Sequence, residues 1–146
     1  MRRNLASSLA LLATTTALVT TLSTPTQASP YRDCQYPYVC LYNGAYYNGS
    51  KLVQYKDAYY QTLPNNRKDK ADSAVNTRNT DSVWLIDTRS RSNSRYLCIP
   101  ANTQINLGDY ALIDKGTWAN DVDAIRIWND NGLCDGTRHV TQGIIR

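Results

Sequence analysis

Beyond residue 37 the chain runs in short apolar or alternating stretches, each closed by a turn-forming residue. Tyr38-Val39-Cys40-Leu41-Tyr42 is one such stretch, and Lys51-Leu52-Val53-Gln54-Tyr55 alternates as a half-buried strand does. Asn43-Gly44 and Asn48-Gly49 punctuate the interval between them, because Asn and Gly tolerate positive φ. Further strands are predicted at Ala74–Thr77, Ser82–Ile86, Tyr96–Ile99, Asp109–Ile113 and Ala124–Trp128. Pro64-Asn65-Asn66 breaks the chain, Arg67 to Asp72 reads as a charged loop, and Thr88 to Arg95 as a polar, exposed connection. No stretch after residue 30 carries a helical stripe. Many brief strands without crossover helices favour an all-β sandwich over an α/β fold.

The two halves echo one another. Asp69-Lys70-Ala71-Asp72-Ser73-Ala74-Val75-Asn76 and Ala119-Asn120-Asp121-Val122-Asp123-Ala124-Ile125-Arg126 each place an acidic or amide loop before a short apolar strand. A duplicated Greek key fits this, each half burying one face against the other.

The N-terminus changes the setting. Arg2 and Arg3 precede an uncharged run from Leu5 to Val19, and Thr24-Pro25-Thr26-Gln27-Ala28 ends on a small residue. This reads as a signal peptide over residues 1–28, leaving 29–146 as one secreted, extracellular domain. The run is too Thr-rich to read as a membrane anchor. Loss of two arginines lowers the formal charge from +4 to +2, with 14 basic against 12 acidic residues. So mild and dispersed a charge does not indicate a nucleic-acid or membrane surface.

Cys34, Cys40, Cys98 and Cys134 all lie after the leader. An even number in an exported chain reads as two disulfides. Three pairings are possible; Cys34–Cys40 with Cys98–Cys134 is preferred, since the near pair closes a small loop. Zinc lacks support, with no CxxC and one histidine.

Candidate chemistry is sparse. His139 has no nucleophile motif around it, so no triad is read, and Asp121 and Asp123 are explained by turn chemistry. Neither a catalytic residue nor a cofactor is expected. Phe is absent while Tyr occurs 11 times, so Tyr serves as the main aromatic. Trp84 and Trp128 sit in apolar alternation and are expected in the core. Trp118 follows Gly116-Thr117 and is expected exposed. Adjacent rings at Tyr46-Tyr47 and Tyr59-Tyr60 point to opposite strand faces, making Tyr47, Tyr60 and Trp118 candidate binding anchors.

Cys34 to Tyr42, with five residues between its cysteines, then Leu41-Tyr42, an Asn-Gly turn and Tyr-Tyr-Asn-Gly-Ser, resembles the opening of peptidase inhibitor family I36. Asp72-Ser73-Ala74-Val75-Asn76 is similar to the stretch that closes that family's first Greek key. The resemblance implies a βγ-crystallin-like sandwich of two Greek-key motifs and a monomeric inhibitor whose partner is an extracellular peptidase. It leaves the inhibitory loop unassigned, because Cys98 and Cys134 lie far apart where the characterised members have a short disulfide. The family fold's calcium pattern is met only in part by Lys68–Ser73 and lacks its last two residues at Asn120–Ile125, so no metal is assigned. The loop candidate drawn from this chain is Thr88–Arg95, with Arg89, Arg91, Asn93 and Arg95 as its contacts, because it is polar, basic and runs into Cys98. Extracellular carbohydrate or cell-wall binding, and a purely structural role, are the rival readings. Mass spectrometry of the unreduced secreted protein should find a chain beginning at Ser29 with both disulfides formed; free thiols would contradict the reading.

Overall fold

The computed structural model describes residues 33–88, 93–113 and 116–145. The signal peptide expected over residues 1–28 lies outside them. Among the described residues the strands are β1 (Val39–Tyr42), β2 (Lys51–Tyr55), β3 (Tyr60–Thr62), β4 (Ser73–Asn76), β5 (Val83–Asp87), β6 (Arg95–Ile99), β7 (Thr103–Asn106), β8 (Ala124–Ile127) and β9 (Thr141–Ile144). The strands pair antiparallel into a four-stranded sheet, β2-β1-β4-β7, and a five-stranded sheet, β3-β8-β5-β6-β9. The expected all-β, crystallin-like sandwich with Greek-key connectivity is what forms.

Replacing β1, β2, β3 and β4 by β5, β6, β7 and β8 turns the order β2-β1-β4-β7 into β6-β5-β8-β3. The two sheets therefore exchange under a pseudo-two-fold, and each half lends its third strand to the other's sheet. The echo in the sequence marks this symmetry. Asp69 and Asn120 occupy matching places, both left-handed with φ of 51° and 60°, a conformation that Asn and Asp adopt more readily than most residues. Their backbones bond reciprocally across the centre: Asp69 N–H donates to the Val122 carbonyl (3.1 Å), and Asn120 N–H to that of Ala71 (2.8 Å). Ala71 and Val122, also matched, are both fully buried.

Inward-facing Val39, Leu41, Ala74 and Ile105 of one sheet meet Val83, Leu85, Leu97, Ile99, Ile125 and Ile127 of the other. Asn76 is buried among them with its amide satisfied. It donates to the carbonyls of Asp81 (2.9 Å) and Pro100 (3.0 Å) and accepts from Arg78 N–H (3.1 Å). Arg78 pairs with Asp81 and donates to the Pro37 carbonyl, tying the link between the halves to the start of β1.

Tryptophan placement reverses the expectation. Trp118 is 0 % exposed and closes the core from the β7–β8 connection, its indole N–H on Gln142 Oε1 (3.2 Å). Trp84 and Trp128 are half-buried on the outer face of the five-stranded sheet. Alternation shows which residues share a face but not which face turns inward. Here Val83 and Leu85 take the core, leaving Trp84 outside. It stacks on Tyr96 at 3.9 Å and meets Trp128 edge-on at 4.7 Å, while the Arg126 guanidinium lies 3.6 Å over Trp128. Tyr96 in turn lies over Gly143 of β9, where a Cβ would collide with the ring. Burial, reinforced by the Asp135 carboxylate, holds the Tyr96 hydroxyl above its usual range.

The strand expected at Asp109–Ile113 is instead a 3-10 turn at Leu107–Asp109 followed by loop, and β3, β7 and β9 appear where no strand was predicted. Both disulfides have the preferred pairing. Trp118→Ala should cost about 3–5 kcal/mol in urea unfolding and Trp84→Ala clearly less; the opposite order would contradict the assignment of the core.

Candidate functional site

The pseudo-two-fold brings two hairpin connections to the same end of the sandwich. One runs from Asn43 to Ser50 between β1 and β2, the other from Thr88 to Ser94 between β5 and β6. A chain of hydrogen bonds crosses this end from one to the other. Asp72 N–H donates to the Tyr42 carbonyl (2.8 Å), the Asn120 amide donates to Asp72 Oδ1 (3.0 Å), and Asp123 N–H donates to the Ile86 carbonyl (2.9 Å). Asp123 Oδ2 then accepts both the backbone N–H (2.8 Å) and hydroxyl (2.7 Å) of Thr88. These carboxylates are thus engaged in holding loops. Among the described residues no group of three or more His, Cys, Asp or Glu side chains could hold a metal ion. His139 is exposed.

The first hairpin is folded back on itself and locked. Gly44 and Gly49 approach so closely that a Cβ on either would strike the other's backbone. Asn43 closes the loop: its backbone N–H donates to the Ser50 carbonyl (3.1 Å), and its Oδ1 accepts from Ser50 N–H (2.6 Å). From β4, the buried Ser73 hydroxyl donates to the Gly44 carbonyl (2.7 Å) and accepts from Tyr47 N–H (3.1 Å). Tyr46 and Tyr47 both take positive φ, 54° and 62°. For tyrosine this is strained, and only an over-determined loop sustains it.

Beneath this hairpin lies a small second core on the outer face of the four-stranded sheet. Cys34, Cys40, Tyr42 and Val75 form it, with Tyr38 and Tyr47 against them. Tyr47 meets Tyr42 edge-on at 6.2 Å. The Tyr42 hydroxyl donates to Asp33 Oδ1 (2.9 Å), and Lys51 pairs with Asp33 at 3.1 Å. Those two partners, the Tyr42 bond foremost, outweigh desolvation and hold the Asp33 carboxyl below the usual range.

The second hairpin occupies the symmetry-related place, yet Ala124 stands where Ser73 does in the first half and offers no hydroxyl. Its base is fixed otherwise, by Thr88 on Asp123 and by Ile145 N–H on the Ser94 carbonyl (2.8 Å). Of the candidate contacts, Arg89 and Arg91 lie outside the described residues. Asn93 is exposed on the loop, while Arg95 is the half-buried first residue of β6, opposite buried Asp87.

The aromatic candidates do not converge. Tyr47 is half-buried against Tyr42, and Tyr60 is exposed beside Arg126 on the five-stranded sheet. Trp118, expected exposed, is enclosed in the core and cannot serve as a surface anchor. The exposed ring at the hairpin end is Tyr46, at 64 %, where alternation of the pair points to Tyr47. The two Asn-Gly pairs that bracket it were the available signal. They mark a tight loop, in which neighbouring rings need not alternate as they do along a strand.

Compared with known protein families, residues 27–99 match peptidase inhibitor family I36. Neither a curated protein nor a solved structure matches the chain. The matched stretch runs through β6 and takes in both hairpins. Ser73→Ala removes both bonds that pin the first hairpin and should cost about 2–3 kcal/mol. Hydrogen exchange at the Tyr47 amide should accelerate in the same variant; an unchanged amide would show that Ser73 does not hold the loop.

Proposed function

Because the chain belongs to peptidase inhibitor family I36, it is a peptidase inhibitor rather than an enzyme, and we propose that it blocks a secreted peptidase with the hairpin end of the sandwich. The family match over residues 27–99 is the observation that carries this reading. The geometry supplies a physical means. The first hairpin, already held by hydrogen bonds and packing, loses little conformational freedom on docking, so more of its contact energy appears as affinity. Two disulfides, a leader-like N-terminus and the family's habit support an extracellular setting. Among the described residues no helix is long and apolar enough to cross a membrane. We take residues 29–146 as one monomeric domain.

Contact through Thr88–Ser94 is supported by the place of its described ends, Thr88 and Ser94, at this end of the sandwich, and by Arg89, Arg91 and Asn93 in its sequence. Arg95 is better suited to anchoring β6 against Asp87 than to reaching a partner. Of the aromatic anchors that carbohydrate binding would use, Trp118 is enclosed and Tyr47 packed down, while Tyr60 stays exposed. Inhibition constants against a panel of secreted metallo- and serine peptidases test the proposal. The Arg89→Ala/Arg91→Ala variant should bind about tenfold or more weakly, with the loss shrinking at high salt. An unchanged constant would remove this loop from the contact.

A further inference from the structure

We propose that Tyr46 is a binding anchor on the first hairpin, inserting its ring into an uncharged, apolar recess on the surface of the inhibited peptidase. The inference rests on the inhibitory reading and deepens it, because it assigns a contact outside the arginine-bearing loop. Three observations carry it.

The ring is 64 % exposed, and among the described residues no side-chain hydrogen bond or ring contact engages it. Its neighbour Tyr47 is the hairpin's packing residue, seated on Tyr42 above the Cys34–Cys40 disulfide. The backbone beneath is determined several times over, by the Gly44–Gly49 approach, the Asn43–Ser50 closure and the two Ser73 bonds. A strained conformation kept by that many constraints, with a free aromatic side chain at its tip, is costly as mere loop closure but well suited to presenting the ring. Tyrosine buries a large area while freezing few torsions, and a fixed backbone lowers the ordering cost further.

The character of the recess follows from the local charge. Asp33 and Lys51, charged side chains bonded to this hairpin's foundation, pair with each other and so cancel, and the Tyr46 ring itself is neutral. The contact is therefore apolar with a polar rim at the phenol, and it responds little to ionic strength. Nor is Tyr46 a bond to be cut. Peptides enter binding grooves extended, whereas Tyr46 and Tyr47 are both left-handed and cannot lie flat without unmaking the hairpin.

The test is an inhibition panel with the full chain and four proteins: wild type, Tyr46→Ala, Tyr46→Phe and Tyr59→Ala. Tyr59 is a matched control, 56 % exposed but beyond the far end of β3 from the hairpins. Tyr46→Ala should raise the inhibition constant by at least about thirtyfold, equally at low and high salt, with an unchanged melting temperature. Tyr46→Phe should stay within about fivefold of wild type, and Tyr59→Ala should match it. If wild type inhibits and Tyr46→Ala inhibits equally well, or if Tyr59→Ala loses as much, the anchor is overturned and the inhibitory reading stands. A wild type that inhibits no peptidase of the panel overturns both.

Discussion

Neither half of this chain buries its own strands, and the exchange of one strand each way is the constraint on which everything else rests. Four short strands from one half would leave a whole sheet face in water. Lending β3 to the second sheet and β7 to the first lets both inner faces meet over one core. The crossing segments must then pass each other near the pseudo-two-fold. There, small Ala71 and branched Val122 fill the interior while Asp69 and Asn120 turn the chain with positive φ. Backbone groups that would be stranded by the crossing satisfy each other reciprocally. Asn76 does the same for the carbonyls of the linking segment, and fully paired it adds order to the core without an unmet polar group.

The same symmetry puts both hairpins at one end, and small departures from it give them different characters. Ser73 pins the first; Ala124 cannot pin the second, whose base relies on the Asp123 carboxylate. The disulfides reinforce different features. Cys34–Cys40 closes a separation of 6 residues, and its place is under the first hairpin. Cys98–Cys134 closes 36 residues and ties the C-terminal segment to β6. On chain entropy alone the longer link is worth about 4 kcal/mol and the shorter about 2 kcal/mol. The longer bond also helps keep β9 in place along β6, so that β6 is not left as an open edge. Tyr96 lying over Gly143 and the Trp84–Trp128–Arg126 cluster shield the outer face of that sheet, which gives these aromatic residues a structural task.

Much of this was legible along the chain. Brief alternations closed by Asn, Gly and Pro specified short strands, because a side-chain period of two needs no knowledge of distant partners. Lys51–Tyr55 was read with its true bounds, and β1, β5, β6 and β8 within a residue or so. The paired acidic loops disclosed the duplication, and cysteine spacing the disulfides. What the chain could not reveal was which face of a strand turns inward, since alternation is the same read from either side. That choice belongs to the partner sheet, and it sent Trp84 outward and drew Trp118, from a segment with every local mark of a surface turn, into the core. Tyr46 was hidden for a related reason. Its exposure depends on Ser73, which lies 27 residues away along the chain yet holds the hairpin beneath it. Local sequence determined the strands, the turns and the cysteine framework. Only the packing of one half on the other decided which rings face water, because burial is a property of pairs of surfaces and not of either one.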